Sequence, residues 1–438
     1  MLHDNLSVGE NGHLYFAGMD TVALASKHGT PLYLIDENKI RDNCRAYISA
    51  VQKHFGARSI PLYASKALCY LDIYRILQEE GTGVDVVSGG ELYTALKAGF
   101  PAELMFFHGN NKPDEEIDYA VKSGVGYFVV DNREEIIEVS KAAGRYGITQ
   151  KILLRLSPGI DPHTHKKILT GSVDSKFGTA IETGQAMEIT KYALGLPNIS
   201  LVGFHCHIGS QIFEPNSYSD AAKIMLSFVA RVREETGLLV EMLNLGGGIG
   251  VRYVEEDPEI DMDAFFGAIK KEVDAFCGEN NLQAPTIIFE MGRSIVANAG
   301  ITLYKVGSFK TITGYKSYVS VDGGMTDNLR YALYEAPYTL LVANRAGEEK
   351  TVTATVAGRC CESGDLIQEG APLQPCKKGD ILAVLVTGAY NYAMASHYNR
   401  LPKPPIVSIC DGVDRVVVKR ESYEDLLKNE LQLTTEKV

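Results

Sequence analysis

Apolar and polar positions follow two different rhythms along the 438 residues. From residue 60 to about 292, short β-rich runs alternate with stretches whose apolar positions recur at helical spacing. The runs are IPLYASK (60 to 66), VDVVS (84 to 88), LMFFHG (104 to 109), YFVVD (127 to 131), KILLRL (151 to 156), LVGFHCH (201 to 207), MLNLGG (242 to 247) and TIIFEMG (286 to 292). Helical stretches such as GGELYTALKAGF, REEIIEVSKAAGRYG and YSDAAKIMLSFVARVREETG each close near a glycine that can cap a helix C-terminus. Eight strand and helix pairs predict an α/β fold closed as a (β/α)8 barrel of the TIM type.

After about residue 305 the helical spacing fades. KSYVSVDGG, TVTATVAG, DILAVLVTGAY and PIVSICDGVDRVVVKRE read as strands separated by turns, which predicts a second, mainly β domain at the C-terminus. The N-terminal segment, with the β-like runs HLYFAG and TPLYLID, is expected to join it. The predicted division is a barrel over residues 38–305 and a β domain over 1–37 and 306–438.

Composition narrows the partners. With 43 Lys and Arg against 55 Asp and Glu, the net charge of −12 disfavours nucleic acid and anionic membrane. No run approaches the roughly 18 apolar residues of a membrane span, and the opening MLHDNLSVGENGHLYF lacks a basic region followed by a long apolar stretch, so a cytoplasmic location is expected. Eight cysteines without a C-x-x-C pair suggest neither a disulfide framework nor a zinc finger, and no metal is expected.

In such barrels, chemistry gathers where the strands run out into their loops. The first run ends on Lys66, an amine able to form a Schiff base with an aldehyde cofactor; alone, it reads better as a solvated strand end, and its companions reverse that. The sixth ends with His205 and His207, which could stack on a ring or serve a metal, and Ser210 follows within reach of a phosphate. The seventh runs into LNLGGGIGV, whose Gly246, Gly247 and Gly248 offer unobstructed amides to a phosphate or make a tight turn. The eighth carries Glu290 close to Arg293; the carboxylate could pair with a protonated pyridine nitrogen or with a barrel cation.

Taken together with YASKA, GVDVVSGGELYTALKAGF, FHGNNK, PGIDPHTH, TGSVDSKFG, HCHIGSQI, GRSIVANAG, CESGD and GAYNYAMASHYN, these motifs resemble the fold type III pyridoxal-phosphate decarboxylases from about residue 29 to 427. The resemblance is strongest to the branch that acts on meso-diaminopimelate. It implies pyridoxal 5'-phosphate held by Lys66, with Glu290 at the pyridine nitrogen, Asp85 supporting that end, and His207, less securely His205, against the ring. Ser210, Gly246 to Gly248, Gly292, Arg293 and Tyr390 would hold the phosphate. Cys361 of CCESGD, rather than Cys360, would be the catalytic acid, supplied with Glu362 from the second subunit of a homodimer with shared sites.

A substrate ending in a second amino-acid group needs a cation for its distal carboxylate. The resemblance assigns Arg293 and Arg330 to that carboxylate, Glu362 to the distal ammonium, and Tyr334 and Tyr390 to the same pocket. Met291 stands where the family has a proline. Rival readings are decarboxylation of ornithine, D-lysine or carboxynorspermidine, a metal-dependent hydrolase built on His205 and His207, and a catalytically silent relative.

Overall fold

The computed structural model describes residues 1–160 and 175–431. Much of PGIDPHTH and TGSVDSKFG lies outside them. The chain divides into two compact units, Ile40–Arg252 with Glu256–Val296, and Met1–Lys39 with Tyr253–Glu255 and Ala297–Val438.

The first unit is the expected barrel. Its strands are β1 (Pro61–Ala64), β2 (Gly83–Val86), β3 (Met105–Phe107), β4 (Tyr127–Val130), β5 (Gln150–Ser157), β6 (Ile199–His205), β7 (Met242–Asn244) and β8 (Thr286–Met291). Each pairs in parallel with the next, and β8 returns to β1 with Glu290 opposite Leu62, which closes the cylinder. The predicted helices form with the predicted stops. Arg133–Tyr146 starts at Asn132, whose side chain accepts the Glu135 N–H, and ends on left-handed Gly147; Asn216–Thr236 ends on left-handed Gly237.

β8 is followed only by the four-residue helix Arg293–Val296, too short to cover a strand face. The helix before β1, Glu37–Phe55, covers it instead. Tyr47 donates its hydroxyl to the Phe289 carbonyl at 2.7 Å, and the Phe55 and Phe289 rings lie 5.2 Å apart.

Leu62, Phe106, Val129, Leu153, Val202 and Ile288, from six different strands, form one buried cluster. Each such side chain contributes roughly 1.5–3 kcal/mol by leaving water. The period of two then puts His108, Asp131, Arg155 and Glu290 on the same faces as Phe106, Val129, Leu153 and Ile288, one step closer to the C-terminal mouth. An apolar plug thus carries a polar layer, and that layer floors the site.

In the second unit the sheet runs in the order Leu366–Leu373, Val352–Ala357, Lys316–Val321, Gly300–Ile312, Leu32–Asp36, Ile406–Cys410 and Val413–Val418. Leu32–Asp36 is buried at all five positions, antiparallel to Gly300–Ile312 and parallel to Ile406–Cys410. The N-terminal segment is therefore an interior strand of the β unit. Among the described residues no helix is long and apolar enough to cross a membrane.

Candidate active site

Lys66 is not the last residue of its strand. β1 stops at Ala64, and Lys66 occupies one 3-10 turn, Ser65–Ala67. The turn is held by the Leu68 N–H on the Ser65 carbonyl at 3.1 Å, and by the Tyr63 hydroxyl on the Leu68 carbonyl at 2.9 Å. Asp85, at the end of β2, accepts the Ser65 N–H at 3.2 Å. Ser65 and Ala67 are fully buried while Lys66 between them is exposed. The strand thus ends in a clamped turn that lifts one amine out of an apolar floor.

Glu290 is the centre of the polar layer. Its Oε1 accepts the Asn244 amide at 2.7 Å and lies 2.8 Å from His108 Nε2, off the line of a straight hydrogen bond; its Oε2 is 3.2 Å from His205 Nε2. Burial alone would raise its pKa, but the two imidazoles outweigh burial and hold the carboxyl well below its usual range. Asp85 moves the other way, pushed up to about 6 by burial and then by the Glu290 charge. His205 is pushed down to about 4 by burial, and His207 well below its usual value by burial and then by Lys66. The result is a buried carboxylate held in its ionised form at the floor of the mouth. The sequence left a barrel cation such as Arg293 open as its partner; the partners are His108, His205 and Asn244.

His108, Asn244 and Arg155 were not singled out from the sequence. The period of two from the apolar positions Phe106 and Leu153 would have flagged His108 and Arg155. Arg155 lies 4.0 Å from Asp131 and over the Phe177 ring.

Just past β8, Arg293 directs Nε and Nη2 to the Ser210 hydroxyl, each at 3.3 Å. Gly246 donates its N–H to Asn244 Oδ1 at 2.9 Å and accepts the Glu290 N–H at 3.0 Å, which laces the glycine loop to β7 and β8. A Cβ at Gly247 would stand 1.6 Å from the Glu290 carbonyl oxygen, and one at Gly248, with φ +120°, 2.0 Å from the Gly209 carbonyl. The glycines are needed for backbone packing as well as for any ligand. At Gly292, where the chain turns into Arg293–Val296, a Cβ would come within 2.9 Å of Ala64 Cβ.

The remaining candidates belong to the β unit. Arg330 opens the short helix Arg330–Tyr334; its guanidinium carbon is 3.7 Å from the Tyr253 ring centre and 5.6 Å from that of Tyr338. Tyr334 is half-buried, as is Tyr390, whose φ is +61°. The CCESGD turn is wound around Asp365, whose carboxylate accepts the N–H groups of Met325 and Cys360, each at 2.6 Å. Cys361 donates its N–H to Asn399 Oδ1 at 2.6 Å, and both Cys361 and Glu362 are exposed. Cys360 is half-buried, its thiol pushed up to about 12 by burial and the Asp365 charge.

Two kinds of ligand fit the barrel mouth. His108, His205 and Glu290 offer ligand atoms within 4.8 Å of one another, a spacing a metal ion accepts, whereas the sequence paired His205 with His207 for that role. A pyridoxal phosphate fits more of the site: an exposed amine, a buried ionised carboxylate, and a hydroxyl and guanidinium beside a glycine loop.

Comparison with known proteins separates the two. The family described as pyridoxal-dependent decarboxylase, pyridoxal binding domain, matches residues 38–297. The diaminopimelate decarboxylase of Bacillus subtilis is 43 % identical over 438 residues, 99 % of each chain. The structure of diaminopimelate decarboxylase from M. jannaschii in complex with L-lysine superimposes with a TM-score of 0.91 at 34 % identity, covering 99 % of each chain. A lysine/ornithine decarboxylase from Vibrio vulnificus complexed with cadaverine superimposes at 0.74 with 25 % identity, covering 89 % of this chain and 97 % of that one.

Proposed function

The chain belongs to the pyridoxal-dependent decarboxylases, and within them to those acting on diaminopimelate, and from that premise we propose that it converts meso-2,6-diaminopimelate to L-lysine and CO2. This is the lysine-forming step of lysine biosynthesis. When bound, pyridoxal phosphate supplies the electron sink for the pair left behind as CO2 departs.

The chain's own groups do the rest. The Lys66 amine would hold the cofactor through its aldehyde. Glu290, ionised and buried with His205 and Asn244 fixing its two oxygens, would hold a proton on the pyridine nitrogen and so keep the sink strong. His207 would lie against the ring, and Asp85 fixes the turn that aims Lys66. Ser210, Arg293 and the amides of Gly246 to Gly248 and Gly292 would hold the phosphate, joined by Tyr390. Arg330, with Arg293 and Tyr334, binds the distal carboxylate, and Glu362 the distal ammonium. Cys361 then protonates the carbon that has lost CO2. We assign Cys361 and Glu362 to the barrel of a second copy, so that the active form is a homodimer with shared sites. Eight free cysteines suit the reducing conditions of the cytoplasm.

One observation carries the choice of substrate. Among the described residues Arg330 is in no ion pair, and its buried Nε has no hydrogen-bond partner. An arginine so placed is open to an incoming anion. Diaminopimelate presents a distal carboxylate there; ornithine and D-lysine do not. Purified protein with added pyridoxal phosphate should release lysine and CO2 from meso-diaminopimelate at least about a hundredfold faster than it decarboxylates ornithine, D-lysine or carboxynorspermidine. Comparable rates on D-lysine or ornithine would overturn the assignment.

A further inference from the structure

Tyr253 lies five residues past Gly248 in the chain, yet it groups with the β unit. Its ring is fully buried, and its carbonyl accepts the Thr339 hydroxyl at 2.9 Å, which ties the segment to the strand-bearing part of that unit. Tyr338, next to Thr339, is 2 % exposed; its ring stands 5.9 Å from that of Tyr253 at 62°, and its N–H is held by Gln368 Oε1 at 2.7 Å. Together the two rings make a rigid aromatic corner. Arg330 rests in it, 3.7 Å above Tyr253, with no carboxylate in an ion pair among the described residues.

A guanidinium can be oriented by an acid or by an aromatic face, and the two have opposite consequences. An acid occupies the donor fork and cancels the charge, so an incoming carboxylate must compete for both. A ring face attracts the cation through its quadrupole while leaving the in-plane N–H edge free. We infer that Tyr253 is a positioning residue for substrate selection: it seats Arg330 face-on, partly desolvated and uncommitted, so that the fork is ready for the distal carboxylate. The inference rests on Arg330 being the ligand of that carboxylate.

L-Lysine and cadaverine isolate the effect, because they differ by the one carboxylate that survives the reaction. Tyr253→Leu should weaken L-lysine binding about tenfold and leave cadaverine binding within about twofold, with KM for meso-diaminopimelate rising in parallel and kcat little changed. Tyr253→Phe, which keeps the face, should restore wild-type selectivity. Should Tyr253→Leu fail to fold, phenylalanines of increasing ring fluorination at position 253 preserve shape while weakening the quadrupole, and L-lysine affinity should fall stepwise along the series. Equal losses for L-lysine and cadaverine, or no dependence on fluorination, would overturn the inference. Arg330→Ala separates the two levels. If it leaves the preference for L-lysine over cadaverine intact, the assignment of Arg330 itself fails; if it abolishes that preference while loss of the ring does not, only the role of Tyr253 fails.

Discussion

The barrel and the β unit hold their functional groups in opposite ways. In the barrel, Asp85, His205 and Glu290 are almost wholly buried, and each has a protein partner within 3.2 Å. In the β unit, Cys361 and Glu362 are exposed, Arg330, Tyr334 and Tyr390 are half-buried, and what is rigid is the support beneath them: Asp365 under the cysteine turn and Tyr253 under Arg330. Buried charges tolerate desolvation only when paired. On the proposed reading, the barrel carries a preorganised site for a cofactor that stays, whereas the β unit offers groups to be completed by a substrate that comes and goes, or by a second copy of the chain.

The contrast breaks most sharply at Lys66, the exposed exception in the buried mouth. Lys66→Ala should cost at least about a thousandfold in turnover and abolish borohydride labelling by the cofactor, yet leave the melting temperature nearly unchanged, because no buried contact is lost. Labelling of a different lysine would move the centre of the site.

Glu290 should behave differently, as a group that is both functional and structural. Glu290→Gln should lose about a hundredfold in turnover, since an amide cannot hold the pyridinium proton, and should also melt earlier, because two imidazoles and an amide lose the charge they surround. Near-normal turnover would place the electron-sink role elsewhere.

The smallest effect distinguishes the units by pH. In the barrel, His205 has its pKa pushed down to about 4, so its contribution to stability is present above about 6.5 and is lost as pH falls through 4. In the β unit, burial pushes Asp327 up to about 7 against the Tyr304 hydrogen bond, so its contribution is full below the ordinary carboxylate value and is lost as pH rises through 7. Asp327→Asn, permanently neutral, should flatten the fall in melting temperature between pH 5 and 8 by several degrees. An unchanged slope would show that the group is ionised in the fold.

Most of the barrel was legible because a buried parallel strand writes itself as a short apolar run, and each βα unit repeats that signal between helix stops. Lys66, Glu290 and the glycine loop were legible as strand-end chemistry. The end of β1 was not: the pattern carried the strand through Lys66, but the Ser65 N–H is taken by Asp85 of the neighbouring strand, a contact with no local trace in the sequence. The cage around Glu290 was hidden for a similar reason. His108 and Asn244 meet that carboxylate only when curvature brings β3 and β7 to β8, and no spacing along one strand records how the cylinder closes. Tyr253 was lost by association, lying beside a conspicuous glycine loop but packing with residues more than seventy positions away.

The claim that a second copy completes the site is tested most directly by mixing two inactive proteins, Lys66→Ala and Cys361→Ala, under conditions where subunit exchange is verified. In a mixed dimer one shared site inherits both lesions and the other inherits neither. Random pairing makes about half of the dimers mixed, so activity should return to roughly a quarter of wild type for a two-fold dimer. If verified exchange restores no activity, Cys361 acts within its own chain or not at all, and the contrast between a finished barrel and an open β unit loses its functional meaning.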